Sequence, residues 1–209
     1  MARTASDIGP RILAAARDRF LSEGVDGAAL RAIARDAGTS IGMIYYYHPT
    51  KDDLFLAVVE QVYVTLLKDL EARLAPDRPV TERLRALFDR IGAASDDEQQ
   101  VLRLVLREAL TSPARLARLI RRFQRGHVPL LIELVRDGVA AGVLRADVSP
   151  PLLLAAIVAI GGPGQAILEV IDRHVAPGAV PPRAARPAGL LDLLLAGIGA
   201  PAPARRARR

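Results

Sequence analysis

Residues 29–55 have the sequence ALRAIARDAGTSIGMIYYYHPTKDDLF, which predicts two short helices joined by a tight turn. Gly38 ends the first helix, because glycine readily takes the left-handed conformation, and the Thr-Ser pair that follows can cap the second. Ala34 is small where the two helices must approach closely, and Ile44 is placed to hold the second helix against the first. This spacing is typical of a helix-turn-helix.

The rest of the chain also shows helical periodicity, with no alternating β-branched run, so we expect an all-α fold. Ser95 with Glu98 predicts a capping box, and Thr50 with Asp53 predicts a similar helix start. Prolines at 129 and 163 fall inside the two longest predicted helices after residue 80 and should bend or break them. The nine predicted helices span residues 8–23, 28–36, 40–47, 51–74, 80–93, 96–110, 113–141, 150–174 and 185–198.

Composition argues against several kinds of site. The 209 residues contain no cysteine, which excludes disulfides and thiolate metal sites. The three histidines, at positions 48, 127 and 174, form no ligand-spaced cluster with acidic residues, so we expect neither a metal nor a cofactor. No nucleophile with a base and no phosphate-cradling glycine loop is found, and we therefore do not expect an enzyme.

The net charge of +6 is concentrated at one end. From Arg183 onward six arginines stand against Asp192 alone. Because the remainder is nearly neutral, nucleic-acid binding must be argued from a motif rather than from overall charge. The closing PAPARRARR predicts a disordered basic tail over residues 201–209.

Nothing in the sequence predicts export or membrane insertion. The N-terminus mixes charges throughout and lacks the apolar core of a signal peptide. The most apolar stretch, residues 152–160, is followed by Gly-Gly-Pro-Gly and falls short of the roughly 20 apolar residues of a membrane span. We expect a buried helix there and a cytoplasmic protein without membrane contact.

Residues 12–60, ILAAARDRFLSEGVDGAALRAIARDAGTSIGMIYYYHPTKDDLFLAVVE, resemble the DNA-binding region of tetracycline-repressor-like (TetR) regulators. The resemblance implies a three-helix DNA-binding domain over residues 1–50 and a larger helical domain over 51–200 that dimerises and binds an effector. The protein would then be a ligand-responsive repressor that binds double-stranded operator DNA.

The resemblance also implies which side chains meet DNA. The second helix of the motif would enter the major groove while the start of the fourth helix and the flanking turn meet the backbone. The residues concerned are Arg31, Thr39, Ser40, Ile41, Gly42, Tyr45, Tyr46, Tyr47, His48 and Lys51.

Two departures from the family pattern affect this assignment. The family usually has an aromatic residue before Pro49, where this chain has His48; it is a buried histidine, a phosphate contact or a pH-sensitive element. The recognition helix also lacks Lys and Arg, so the usual arginine-to-guanine contact cannot come from it. We expect tyrosine hydroxyls, Ser40 and apolar contact from Ile41 to read thymine-containing half-sites.

The C-terminal domain resembles the family in architecture only. A largely apolar effector would bind between the predicted helices of residues 51–174, and the candidate lining residues are Tyr63, Phe88, Arg103, Arg107, Phe123 and His127. The last two predicted helices are apolar nearly all round, which predicts a two-fold homodimer through them. Two recognition helices about 34 Å apart would then require a palindromic operator.

Three other functions remain open from the sequence. The chain could be an all-α enzyme or small-molecule-binding protein, and DNA-independent turnover would identify the enzyme. It could be a non-specific architectural DNA protein that uses the basic tail, which would bind random DNA equally well. It could also be a constitutive repressor without an effector cavity.

Overall fold

The structure, a computed structural model, describes residues 7–124 and 126–198. In this part of the chain it contains eleven α-helices and no β-strand. The helices are α1 (Ile8–Gly27), α2 (Leu30–Asp36), α3 (Ile41–Tyr47), α4 (Lys51–Arg73), α5 (Val80–Gly92), α6 (Asp96–Thr111), α7 (Pro113–Phe123), α8 (His127–Ala140), α9 (Pro150–Gly161), α10 (Pro163–His174) and α11 (Arg186–Ile198). The all-α prediction is confirmed, and the predicted tail at 201–209 lies outside the described residues.

The described residues form eleven α-helices where about nine were predicted, because two long predicted helices are each divided. The one predicted over 113–141 is α7 and α8, and the one over 150–174 is α9 and α10. Pro163 is the first residue of α10 and Pro129 the third of α8. These are positions where the backbone N–H has no intrahelical partner, so proline starts a new helix instead of bending a continuous one.

The chain forms two compact units. The first comprises the described residues up to Leu67 together with Ser95–Phe123. Its core joins the helix-turn-helix residues to α6 and α7, and Phe20 of α1 meets Phe55 of α4 edge to face at 6.2 Å between ring centroids. The buried side chains include Ile12, Ala16, Phe20, Ile33, Ala34, Ile44, Phe55, Val101, Leu104, Leu119 and Phe123.

The second unit comprises Lys68–Ala94 and the described residues from Gln124 onward. In it α11 packs against α5 and α9, while α8 also packs against α5 and α9. Arg183 donates from Nε to the carbonyl oxygen of Gly92, the last residue of α5, at 3.2 Å. The buried side chains include Leu84, Leu87, Phe88, Leu134, Leu153, Ile157, Leu191 and Leu194.

These units are defined by packing and do not test the predicted domain boundaries. Helix α4 contributes residues to both units, and α6 and α7 belong to the unit that holds the helix-turn-helix. The division into residues 1–50, 51–200 and 201–209 stays a prediction.

One stretch of the described chain, Pro150–His174, is long and apolar enough to cross a membrane by length and composition. Its backbone, however, forms two helices of 12 residues each, α9 and α10. Each is shorter than the roughly 20 residues that a span requires. Helix α10 also carries the charged residues Glu169, Asp172 and Arg173, which are costly to place in the hydrocarbon core of a membrane.

Candidate nucleic-acid interface

The turn between α2 and α3 is held by its own backbone. Gly38 has a φ of 61°, in the left-handed region that favours glycine. Its N–H donates to the Arg35 carbonyl oxygen at 3.0 Å, and the Thr39 N–H donates to the Ala34 carbonyl oxygen at 2.9 Å. These two bonds are a Schellman motif, which satisfies the last carbonyls of α2 and turns the chain directly into α3.

Helix α3 starts at a side-chain cap and is anchored by one apolar residue. The Ser40 hydroxyl accepts a hydrogen bond from the Met43 N–H at 3.3 Å. Of the Thr39–Ser40 pair predicted to cap this helix, Ser40 is therefore the cap. Ile44 is fully buried, as the sequence predicted. Because Ile44 faces the core and Ile41 packs partly against it, the three tyrosines of this seven-residue helix are turned outward.

The outward face of α3 is aromatic. Tyr45, Tyr46 and Tyr47 are 50%, 77% and 41% exposed, and Tyr46 and Tyr47 meet edge to face at 5.3 Å between ring centroids. Ile41 is partly buried and Gly42 is exposed. The face therefore offers hydroxyl groups, ring edges and one aliphatic side chain, with no charged group on the helix.

His48 ends α3. Its backbone N–H donates to the Ile44 carbonyl oxygen at 2.7 Å, and its ring lies 6.4 Å from the Tyr47 ring between centroids. Burial lowers the pKa of His48, and this effect exceeds the opposing influence of the Asp53 carboxylate. The low pKa favours the neutral imidazole at pH 7.

The start of α4 is capped reciprocally. The Thr50 hydroxyl accepts from the Asp53 N–H at 3.1 Å, and the Asp53 carboxylate accepts from the Thr50 N–H at 3.1 Å. Lys51, the first residue of α4, donates from Nζ to the Asp26 carbonyl oxygen at 2.9 Å. The Lys51 ammonium is thus held beside the end of α1.

The other end of the motif is held by ion pairs. Arg19 of α1 pairs with Asp36 at the end of α2 (2.7 Å) and with Glu23 one turn further along α1 (2.5 Å). The hydrogen bond from Arg19 lowers the pKa of Asp36. These bonds fix α2 against α1, with Arg31 exposed on α2.

Comparison with known proteins identifies the family. Residues 12–58 match the family described as "Bacterial regulatory proteins, tetR family", and residues 79–162 match "Tetracyclin repressor-like, C-terminal domain". The chain belongs to the TetR family. The first match covers most of α1, all of α2 and α3 and the first turns of α4, while the second covers α5 to α9.

Two curated relatives of this TetR-family chain are transcriptional regulators. It is 34% identical to RutR of Escherichia coli K12 over 102 residues, which are 47% of this chain and 46% of RutR. It is 30% identical to the repressor NicS of Pseudomonas putida over 140 residues, 66% of each protein. The matched part of the chain thus spans about half the length of RutR.

Solved TetR-like structures share the fold. FadR from Bacillus subtilis, in complex with stearoyl-CoA, has a TM-score of 0.72 at 18% identity and covers 90% of this chain and 98% of its own. A regulatory protein of the tetR family from Rhodococcus RHA1 has a TM-score of 0.71 at 22% identity, with coverages of 95% and 100%.

The predicted DNA-binding residues of this TetR-family chain lie along α2, the turn, α3 and the start of α4. Arg31, Ser40, Gly42 and the three tyrosines are exposed, whereas Thr39, Ile41, His48 and Lys51 are partly buried. Their contact with DNA stays a prediction.

The predicted effector-binding residues are distributed over both units. Tyr63 and Phe123 stack in the first unit, with 3.9 Å between ring centroids, and Arg103 of the same unit donates to Gln99 at 3.4 Å. Phe88 is fully buried in the second unit, where burial also lowers the pKa of His127. The effector site stays a prediction.

Arg107 has a structural role that explains its place among apolar helices. Its guanidinium donates to the backbone carbonyls of Phe20 and Leu21, at the end of the first part of α1. The sequence did not show this bond, since the partners are more than 80 residues apart.

The sequence did not predict an ion-pair cluster around the buried Arg115 side chain. Arg115 of α7, 7% exposed, pairs with Glu108, Asp26 and Asp52. The periodicity of α7 placed Leu119 and Phe123 on an apolar face, and Arg115 lies one turn before Leu119 on that same face. That shared face is the signal by which its burial could have been found.

Proposed function

We propose that this chain is a transcriptional regulator that binds a palindromic operator as a homodimer and is released from it by a small molecule. The observation that carries the proposal is the face of α3, where three exposed tyrosines project from a helix fixed by buried Ile44 and capped by Ser40. Membership of the TetR family supports the same function.

The face suits the major groove. A helix fits into this groove, and the adjoining residues meet the phosphate backbone. Lys51 and the exposed Arg31 supply positive charge beside a recognition helix that has none. Phosphate contacts then position the helix, while sequence is read by tyrosine and Ser40 hydroxyls and by apolar contact of Ile41 with thymine methyl groups.

Dimerisation is supported by apolar side chains that the chain leaves uncovered. Ile167 and Val170 of α10 are 58% and 56% exposed, and Leu193 of α11 is 72% exposed. Helices α10 and α11 pack against each other. A second copy related by a two-fold axis would cover these side chains with the same side chains of its own.

Release from DNA by an effector is supported by a structural relative that binds a small molecule. The similar fold of FadR holds stearoyl-CoA, and the second unit of this chain has a large apolar core. An effector that favours the DNA-incompetent conformation by about 3 kcal/mol would weaken operator binding roughly a hundredfold, and operator DNA would weaken effector binding equally.

The test is selection and sequencing of genomic fragments bound by the purified protein. We expect a palindromic, thymine-containing motif with the wild type and its loss with a Tyr45→Ala, Lys51→Ala double variant. Lys68→Ala is the control, because Lys68 is an exposed lysine on the same helix as Lys51 but outside the proposed interface. If the wild type enriches no sequence motif above random DNA, the proposal is refuted.

A further inference from the structure

Arg115 joins three other parts of the first unit in one ion-pair cluster, in which Arg115 and Glu108 are buried while Asp26 is exposed. Its Nη1 lies 2.5 Å from Glu108 Oε2 of α6, its Nη2 2.7 Å from Asp26 Oδ1 near the end of α1, and its Nε 3.1 Å from Asp52 Oδ1 of α4. Every nitrogen of the guanidinium thus faces a carboxylate. We call Arg115, Glu108, Asp26 and Asp52 the Arg115 cluster.

Glu108 extends the cluster to the backbone of α1. Gly24 has a φ of 79°, which interrupts the helix and leaves the Val25 N–H without a helical partner. The second carboxylate oxygen of Glu108 accepts from that N–H at 3.2 Å. Arg107 donates to the Leu21 carbonyl oxygen, on the other side of the interruption, at 3.0 Å. Two neighbouring residues of α6 therefore cap both sides of the break.

The cluster also determines the surroundings of Lys51. The Lys51 ammonium donates to the backbone carbonyl of Asp26, whose carboxylate is held by Arg115. Asp52, the next residue in the chain, is held by the same arginine. Arg115 lowers the pKa of Asp26 through its hydrogen bond and its charge. An aspartate is ionised at neutral pH even at its ordinary pKa, so the Asp26 carboxylate would attract the Lys51 ammonium if Arg115 were absent.

We propose that Arg115 is a positioning residue for DNA binding. It pairs with the carboxylate of Asp26 and, together with Arg118, with that of Asp52. It also fixes the start of α4, so that the Lys51 ammonium is available to a DNA phosphate. Arg115 does not itself touch DNA. The inference rests on the proposed function, because it concerns the strength of operator binding.

The test measures operator affinity against salt concentration. Arg115→Met is combined with Glu108→Gln, so that no buried carboxylate is left unpaired and the Val25 N–H keeps an acceptor. Each lost phosphate contact lowers the slope of log affinity against log salt by about 0.9. A dimer that loses both Lys51 contacts should therefore show a slope smaller by about two. Lys51→Ala should lower it equally, and adding it to the double variant should lower it no further.

Arg122→Met is the matched control. Arg122 also lies on α7 and also pairs with α4, through Glu60 at 2.6 Å, but it is 52% exposed and outside the cluster. We expect its slope to equal that of the wild type.

Asp52→Ala gives a second reading that does not remove the central arginine. We expect this variant to bind the operator more weakly than the wild type, because the start of α4 loses its pair with Arg115 and the Lys51 ammonium is displaced. Loss of a negative charge near DNA would by itself strengthen binding, so the two effects have opposite signs. Circular dichroism checks that each variant is folded.

The inference is overturned if the wild type binds its operator and both the double variant and Asp52→Ala bind it with the affinity and slope of the wild type. It is also overturned if Lys51→Ala lowers the slope of the double variant further. Absence of specific DNA binding by the wild type would instead refute the proposed function.

Discussion

His48 lies where the recognition helix ends, and its surroundings favour the neutral imidazole. Its ring is partly buried near Tyr47, and burial lowers its pKa. The partial burial is consistent with the buried-histidine interpretation, while a phosphate contact and a pH-sensitive role stay predictions.

The free energy of unfolding should fall as the pH is lowered from about 6.5. The pKa values of His48 and His127 are both lowered from 6.5 by burial. Below that pH the unfolded chain therefore binds protons that the folded chain does not, and stability decreases until the pH reaches the folded pKa. Urea unfolding at about pH 7.5, 6.5 and 5.5 measures this slope.

His48→Gln is expected to reduce the slope, because it removes one of the two histidines whose pKa is lowered by burial. Asp26 and Asp36 do not interfere, since their pKa values are lowered from 3.8 and their contribution is lost only at more acidic pH. An identical pH dependence in wild type and variant would contradict the assignment.

Among the elements, the α2–α3 turn could be predicted from the sequence, whereas the contacts that hold the break in α1 could not. Gly38, Ser40 and Ile44 lie within seven residues, and their roles follow from hydrogen bonds and periodicity inside that window. The break at Gly24, by contrast, is stabilised by Arg107 and Glu108 of α6. Sequence periodicity placed the end of the first helix near Gly24 but could not show what holds it.

Gly38→Ala should destabilise the protein by about 1–2 kcal/mol, because the left-handed conformation brings Cβ too close to the following carbonyl oxygen. The φ of 61° at Gly38 is required by the Schellman motif. Urea or thermal unfolding measures the change.

Gly9→Ala is the control for that substitution. Gly9 lies in the first turn of α1, where an added Cβ meets nothing within 4 Å. Alanine there should be neutral or stabilise the protein by up to about 1 kcal/mol. Equal destabilisation by both substitutions would show that the turn geometry is not the cause.

At the scale of the whole molecule, a single chain leaves apolar side chains of α10 and α11 uncovered, among them Ile167, Val170 and Leu193. Helical periodicity predicted apolar helices at residues 150–174 and 185–198. Which of their side chains are exposed depended on the packing, since Leu191 and Leu194 are buried while Leu193 is not.

Leu193→Glu should convert the proposed dimer to a monomer. A two-fold interface would bury the new carboxylate twice, and a total cost of at least about 3 kcal/mol raises the dimer Kd roughly a hundredfold. Sedimentation velocity at several protein concentrations measures the change.

Leu110→Glu provides the matched control, because Leu110 is 87% exposed on α6 and lies outside the α10–α11 surface. It should leave the dimer intact. Unchanged association of Leu193→Glu, or equal dissociation of both variants, would argue against this interface.

The sequence by itself determined the all-α class and the helix-turn-helix with its glycine turn, and it identified the two prolines that lie in the first turns of α8 and α10. Each depends on interactions within a few residues, which a linear pattern records. Only the tertiary structure decided that the helix-turn-helix core continues into α6 and α7. It alone brought Arg115 to Asp52 and Asp26, 63 and 89 residues away in sequence. The physical reason is that an ion pair between residues distant in sequence depends on how their helices pack, which no local spacing specifies.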